Sequence, residues 1–460
     1  MSSSSRTSSG RDERLGRANS SAPLVPLYKR LPHGPHRLDR SQVVRHQRAR
    51  IYGAMVEAVA CSGYQETSVK QVVALAGVSR RSFYEQFANK EECFLATFDL
   101  LAGRGVKQLS KAYLATSGSL EDRLRAAMGE LAYTTRVHRK ASVLVMVEAQ
   151  TAGAAGLAHL HRATATCEQL LAKSFAESPE ASPLPAPIVR GIAGGLHGAM
   201  AMRLREGTAV KRPELAEEML RWTLLFQTPT IERMAERVAA RLAERMREAA
   251  AHNGVHRAHA QQQQQGDRER LLHNALRLAV AENYADLSAP QIAEESGVPI
   301  DTFFELFDGK EDCFLAALDM MGDELLSITA HPDLVSPDWP RAVRRVIAEL
   351  MRYLADHPLY AQTIAREAFT AGPDAVERNL ELAQGIATLL TEGAPGKAQS
   401  RLAVEGVAGA IWHLVRCQVS SERIQLLPAL SDYLCYVVLA PFIGADAAVE
   451  IMTEDKDDDD

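Results

Sequence analysis

The sequence predicts an all-α protein built from two similar helical units in tandem. Its 460 residues are rich in alanine, leucine, arginine and glutamate, which favour helices, and only 6% are aromatic. Apolar residues recur every three or four positions, as they do along one face of a helix. The segment that starts at Tyr64 also aligns without a gap with the segment that starts at Tyr284.

The internal repeat extends over the whole unit. The hexapeptide EAQTAG at Glu148 pairs with EAFTAG at Glu367, and GIAGGL at Gly191 pairs with GVAGAI at Gly406. Small changes in the offset between the copies are what short loop deletions produce. The identical positions in the first segment include the pairs Gly77/Gly297, Val78/Val298, Phe83/Phe303, Phe87/Phe307, Lys90/Lys310, Glu91/Glu311 and Cys93/Cys313.

Composition excludes several protein classes. No stretch approaches about 20 uninterrupted apolar residues, so we expect no membrane span. The N-terminus lacks the apolar core of a signal peptide. The six cysteines show no CxxC pairing, and a chain of this length needs no disulfides, so we expect reduced thiols and a cytoplasmic protein. The formal net charge of −6 does not by itself indicate a nucleic-acid partner.

The first two helices of the repeat are predicted from their caps. An apolar stripe that begins at Ile51 indicates the first helix. Thr67 and Ser68 offer capping hydroxyls for the second helix. Gly77 ends that helix, because glycine accepts the left-handed conformation of a tight C-terminal turn. The buried face of the second helix carries Val72, Val73 and Ala76.

The third helix exposes charged and polar side chains. Ser79 caps it, and Phe83 and Phe87, four residues apart, face the core. The residues left outward are Arg80, Arg81, Ser82, Tyr84 and Glu85. Two short helices joined by a Gly-Val turn, the second bearing arginines, have the geometry that enters a major groove. Arginine matches the O6 and N7 atoms of guanine, so the pattern predicts binding of double-stranded DNA.

The run SVKQVVALAGVSRRSFYEQFANKEECF resembles the DNA-binding domain of the TetR family of transcriptional regulators. The resemblance is strong over residues 48–99 and weaker over 268–319. It implies a three-helix DNA-binding domain, called the reader here, followed by a helical bundle that binds a small molecule and dimerises. It also implies DNA contacts by Lys70, Ser79, Arg80, Arg81, Ser82 and Tyr84, with Thr67, Ser68 and Lys90 on the DNA backbone.

These observations predict seven segments. They are a disordered basic arm (1–40), a first helix-turn-helix domain (41–104), a first regulatory domain (105–228), an amphipathic helix with a Gln-rich linker (229–266), a second, degenerate helix-turn-helix domain (267–325), a second regulatory domain (326–445) and an acidic tail (446–460). The basic arm could reach an adjacent minor groove. We assign no function to the acidic tail.

The second copy departs from the pattern where DNA contact matters. Between residues 64 and 90 the first copy has four basic and two acidic residues, a net +2, whereas residues 284–310 have one basic and six acidic residues, a net −5. DNA affinity depends largely on phosphate neutralisation, so we expect the second reader to be a structural relic without DNA contact. The alternative is that it reads DNA weakly through the backbone of its helix ends. The exchanges are Thr67 to Leu287, Lys70 to Pro290, Ser79 to Pro299, Arg80 to Ile300, Arg81 to Asp301 and Tyr84 to Phe304.

Pairing of the two halves follows from the duplication. TetR-like proteins bind paired half-sites as two-fold dimers. We favour an intramolecular pseudo-dimer, which would present one competent reader. The helices expected to form it are near 187–206 with 213–226 in the first half and 401–417 with 425–440 in the second. A homodimer of the tandem chain would restore two readers and is left open.

A small-molecule effector site is expected between the helices of each bundle. The polar or large side chains that could line it are Tyr133, Met146, Glu148 and His197 in the first half, and Tyr353, Tyr360, Glu367 and Trp412 in the second. Each of these residues could equally belong to the core or the surface.

Enzyme chemistry is not indicated. The histidine clusters lack zinc-ligand spacing, no phosphate loop or nucleophile elbow is present, and we expect no metal and no cofactor. Two hypotheses remain. The first is a sequence-specific regulator, in particular a ligand-released repressor. The second is a duplicated small-molecule sensor or interaction protein with little specific DNA binding.

Overall fold

A computed structural model describes residues 39–207, 214–251, 266–335, 337–395 and 401–454. Across those ranges all regular structure is helical, which confirms the all-α prediction. Most of the predicted basic arm, the glutamine run Gln261 to Gln265 and the last six residues of the predicted tail lie outside the described residues.

The first unit begins with a capping box, in which the Asp39 side chain accepts from the backbone N–H of Gln42. Its reader and bundle form one continuous series of helices. These are α1 (Arg40–Glu66), α2 (Val69–Ala76), α3 (Arg80–Tyr84), α4 (Lys90–Ala115), α5 (Leu120–Val137), α6 (Arg139–Met146), α7 (Gly153–Ala176), α8 (Ala186–Arg205) and α9 (Leu215–Leu224).

The second unit repeats this series after the connecting helix α10 (Ile231–Ala251). Its helices are α11 (Asp267–Glu282), α12 (Ala289–Ser296), α13 (Ile300–Leu306), α14 (Lys310–Thr329), α15 (Trp339–Asp356), α16 (Pro358–Ala365), α17 (Pro373–Thr391), α18 (Arg401–Ser420), α19 (Ser431–Ile443) and α20 (Ala445–Thr453). Short 3-10 helices follow α6 and α16, at Glu148–Thr151 and Glu367–Phe369.

One predicted boundary needs correction. The acidic tail was expected from residue 446, but residues up to Thr453 form α20. Ala448, Val449 and Met452 lie on one face of that helix and are buried, so burial of an apolar face fixes this segment despite the acids that follow. In the connecting segment, predicted at 229–266, the amphipathic helix is α10, and its first residue, Ile231, is buried.

The two units pack together through α8 and α18. Gly198 of α8 lies against Gly409 of α18, so closely that a Cβ atom on Gly198 would stand 2.6 Å from the Gly409 Cα. Beside this crossing, the buried Arg203 guanidinium donates through Nε to Glu405 at 2.8 Å. The helices predicted to pair, near 187–206 and 401–417, are therefore in direct contact within one chain.

One described segment, Ile424–Ile443, is long and apolar enough to cross a membrane by length and composition, with a mean hydropathy of 1.7. The segment contains Gln425, Ser431 and Asp432, so it is not an uninterrupted apolar stretch. Most of the segment is buried inside the protein, where α19 packs against α8, α15 and α20. Its apolar character is accounted for by that position in the core.

Candidate functional site: an exposed recognition helix and a cavity in the first bundle

The turn of the first reader is built by local hydrogen bonds. Gly77 ends α2 in the left-handed conformation, with φ at 59°, and the N–H of Val78 donates to the carbonyl of Val73. The Ser79 hydroxyl then caps α3 by accepting from the N–H of Ser82 at 3.0 Å. These bonds fix α3 relative to α2, with Phe83 fully buried beneath it.

The outer face of α3 is open to solvent. Arg80 is exposed, and the Arg81 side chain is 89% exposed while it pairs with Glu85 at 3.0 Å. An exposed pair four residues apart on a helix is weak, so the Arg81 guanidinium can exchange this partner for another acceptor. Tyr84 is 55% exposed, and Lys70 on α2 and Ser68 at its cap are exposed as well, whereas Ser82 is half-buried.

Thr67 and Lys90 have structural partners. The Thr67 hydroxyl is buried and donates to the carbonyl of Gly63 at 2.7 Å, so the expected contact of this side chain with the DNA backbone is wrong. The Lys90 ammonium donates to the carbonyls of Tyr64 and Gln65 and lies 4.3 Å from the centre of the Tyr64 ring. Two of its three donors are thus occupied, and its phosphate contact stays a prediction.

Arginines on α1 also have structural roles. Arg50 donates to the carbonyls of Ala76 and Gly77, at the end of α2. Arg270 donates in the same way to the carbonyl of Ser296 in the second unit. The partners of Arg50 lie 26 and 27 positions away, so only the folded chain reveals this contact.

The second reader keeps the turn but not the charges. Gly297 has φ at 61° and Phe303 is fully buried, as in the first unit. Ile300, Asp301 and Phe304 occupy the exposed face of α13, and Phe304 is as exposed as its counterpart in the first unit, at 55%. Helix α13 has no cationic side chain that could neutralise a phosphate.

The first bundle contains a cavity of about 330 Å³ between α4, α5, α6, α7 and α8, which is partly open to solvent. Carbon atoms form most of its wall. Among the residues predicted for an effector site, Met146 and His197 line it. The Nε2 atom of His197 is buried and has no hydrogen-bond partner, and burial lowers the pKa of this imidazole to about 3, so it is neutral.

The other predicted effector residues are not on this cavity. Tyr133 is 42% exposed, and its neighbours Thr134 and Thr135 line the wall in its place. Tyr360, Glu367 and Trp412 are buried in the core of the second bundle, and the hydroxyl of Tyr353 donates to Glu324 at 2.8 Å. Glu148 faces the reader, as described below.

One cluster of metal-ligand types lies between the units. His413 of α18 bonds through Nε2 to the Glu168 carboxylate of α7 at 2.7 Å, with the Cys417 sulfur 3.6 Å from the same nitrogen. Arg190 also lies 3.6 Å from the Glu168 carboxylate, which is thus already paired with cationic or donor groups. The hydrogen bond between His413 and Glu168 joins the two units, and burial lowers the pKa of His413. Glu168 lies 245 positions from His413, so no spacing motif could have revealed the cluster.

The family model of the bacterial regulatory proteins of the tetR family matches this chain twice, at residues 51–97 and 271–317. The chain is a TetR-family protein with two units in tandem. It carries two DNA-binding domains of this family. No curated protein matches the sequence at a significant level.

Solved structures similar to this TetR-family chain are regulators of a single unit's length. The fatty acid degradation regulator FadR from Bacillus halodurans is 18% identical, with a TM-score of 0.36, and the match covers 39% of this chain and 94% of that one. FadR from Bacillus subtilis in complex with stearoyl-CoA is 15% identical, with a TM-score of 0.34 and coverages of 38% and 96%. A TetR-like regulator from Rhodococcus sp. RHA1 is 22% identical, with a TM-score of 0.32 and coverages of 41% and 96%.

Glu148 links the bundle to the reader in the first TetR unit. Its carboxylate accepts from the backbone N–H of Tyr64 at 2.9 Å, and the Gln65 side chain donates to the carbonyl of Thr151 at 2.7 Å. The 3-10 helix that holds both acceptors directly follows α6, a wall of the cavity. The end of α1 is therefore attached to the part of the bundle that a bound molecule would touch.

We expect Glu148→Ala to lower the free energy of unfolding by about 1–3 kcal/mol, because the half-buried N–H of Tyr64 would lose a charged acceptor. Glu148→Gln keeps an acceptor oxygen and should cost clearly less. Urea denaturation followed by circular dichroism compares the two variants. Equal losses in both would mean that the charge of Glu148, and not this hydrogen bond, stabilises the contact.

Proposed function

We propose that this TetR-family regulator is a sequence-specific repressor that reads DNA through α3 of the first unit. We further propose that a small molecule bound in the cavity of the same unit releases it from DNA. The observation that carries the proposal is the exposed pair Arg80 and Arg81 on a capped recognition helix. The basic net charge of the first reader and the acidic charge of the second support its use of one reader only.

Assembly follows from the contact of α8 with α18. We propose that the two units of one chain pair as an intramolecular pseudo-dimer, with a single competent reader. A palindromic operator would then recruit two chains, one for each half-site. The protein would act in the cytoplasm as a binding protein and not as an enzyme.

Fluorescence anisotropy with DNA fragments from the protein's own promoter region, across a salt series, tests the proposal. We expect Arg80→Ala/Arg81→Ala to lower specific affinity about a hundredfold, since each arginine contact with a guanine contributes about 1–3 kcal/mol. Asp301→Ala, the matched change in the second reader, should leave the affinity within about twofold. The stoichiometry of the complex shows whether one chain or two chains bind each operator.

If the protein does not bind its promoter region specifically, fragments of the whole genome would be selected for binding to the protein. Failure to recover any fragment there would contradict the repressor proposal. It would favour the second hypothesis, a duplicated small-molecule sensor, for which the cavity of the first bundle is the supporting observation. Equal losses from Asp301→Ala and from the arginine variant would contradict the assignment of DNA reading to the first unit.

A further inference from the structure

We propose that each chain binds a single effector molecule, in the first unit, because the second unit has filled the corresponding space with its own side chains. This inference rests on the proposed function only in naming the bound molecule an effector. It concerns the number of sites, the chemistry of the ligand and the direction of the signal within the chain.

The two bundles can be compared position by position. The helices α4 to α8 and α14 to α18 follow each other in the same order, and α6 and α16 have the same length of eight residues. Each is followed directly by a 3-10 helix that starts at Glu148 or at Glu367. These matching ends fix which residue of the second bundle corresponds to each residue of the cavity wall.

Small residues on the cavity wall correspond to large ones in the second bundle. Gly105 of α4 corresponds to Leu325, and Ala141 of α6 to Tyr360. All the large residues concerned are less than a tenth exposed, so they fill the interior and do not point to solvent. The other enlarging pairs include Ala127/Val346, Thr135/Leu354, Ala163/Leu382, Cys167/Ile386 and His197/Trp412.

A few pairs change in the opposite direction, among them Met146/Ala365, Leu109/Thr329 and Leu160/Asn379. These exchanges remove fewer atoms than the others add. Asn379 also uses its amide within the bundle, where Nδ2 donates to the carbonyl of Ile364 at 3.0 Å. The second bundle therefore has the packing of an ordinary protein core, whereas the first keeps an open space.

The wall of the first cavity indicates the chemistry of its ligand. Its charged side chains, Lys173 and Glu177, pair with each other at 3.6 Å and are both about two-thirds exposed. Among the buried side-chain nitrogen and oxygen atoms of the wall, Nε2 of the neutral His197 is without a hydrogen-bond partner. We infer an uncharged, mainly apolar molecule with one hydrogen-bonding group, such as a hydroxyl, directed to His197.

The open cavity and the basic recognition helix belong to the same unit. Helix α4 starts in the first reader at Lys90 and lines the cavity from Leu101 onward, so a ligand there touches a helix that is part of the reader. The second unit combines a filled bundle with an acidic reader. The second unit thus serves as a fixed packing partner for α8. The structural effect of a bound effector is confined to the first unit.

Titration of the purified full-length chain with N-phenyl-1-naphthylamine, an uncharged apolar fluorescent probe, tests this inference. We expect saturation at one probe per chain. Cys167→Ile/His197→Trp, which introduces the side chains of the second unit, should weaken probe binding at least tenfold. The control Ile386→Val/Trp412→Phe makes mild changes at the corresponding positions of the second bundle and should leave binding unchanged.

Two probes per chain, no saturable binding, binding that survives the first variant, or binding lost in the control would each overturn the inference. If the first variant fails to fold by circular dichroism, Ala163→Leu replaces it as a single substitution toward the second unit. The titration contains no DNA. A chain that binds one probe in the first unit but no operator would thus support this inference while contradicting the proposed repressor.

Discussion

Gly198→Ala is expected to lower the free energy of unfolding by about 2–3 kcal/mol, although alanine is the better helix former. The added Cβ would lie 2.6 Å from the Cα of Gly409, a backbone atom that cannot rotate away as a side chain could. To make room, α8 and α18 would have to move apart along the contact that joins the two units. Every other side chain in that contact would then lose packing.

Gly129→Ala is the matched control for this substitution. Gly129 lies inside α5, and a Cβ atom there would have no neighbouring atom within 4 Å. The change should therefore stabilise the chain by about 0.5–1 kcal/mol through helix propensity alone. Urea denaturation of both variants gives the comparison. A gain of stability in both would show that α8 and α18 do not approach each other this closely.

Arg203→Met is expected to cost about 3–5 kcal/mol, the usual effect of breaking a buried ion pair from one side. Arg203 and Glu405 are 3% and 2% exposed, and the guanidinium also donates through Nη1 to Glu218 at 3.0 Å. Methionine matches part of the volume but leaves the carboxylates without this donor. The loss would be measured as a shift of the urea midpoint.

Two further variants separate the buried charge from packing. Arg401 also pairs with Glu405 but is 43% exposed, so Arg401→Ala should cost about 1 kcal/mol or less. The double variant Arg203→Met/Glu405→Leu removes both members of the buried pair and should recover most of the stability lost in Arg203→Met. If the double variant is less stable than Arg203→Met, lost packing and not an uncompensated charge accounts for most of the destabilisation.

The helix-turn-helix could be predicted from the sequence because its signals are local. Caps at Ser68, Ser79 and Asn89 lie within three residues of the N–H groups they accept from, and Gly77 has the left-handed φ that its turn needs. The family model confirms two TetR-type domains and hence the tandem arrangement. Such contacts depend on few residues and little on the rest of the fold.

The cavity wall could not be predicted in the same way. One position along a helix turns a side chain by about 100°, so Tyr133 points outward while Thr134 and Thr135 line the wall. The contact of Glu148 with Tyr64 joins residues 84 positions apart, and that of Glu168 with His413 joins residues 245 apart. Neither contact has a local pattern that could have revealed it.

The ammonium of Lys310 occupies the same place as that of Lys90, donating to the carbonyls of Tyr284 and Ala285 below the Tyr284 ring. It has remained in a copy whose recognition face has become acidic and apolar. Comparison of the two readers within one chain can therefore separate residues that support the three-helix fold from residues that we propose contact DNA. Lys90 and Lys310, kept in both readers, make the same structural contacts, whereas residues that differ, such as Arg80 and Arg81, lie on the exposed face for which we propose DNA contact in the first unit only.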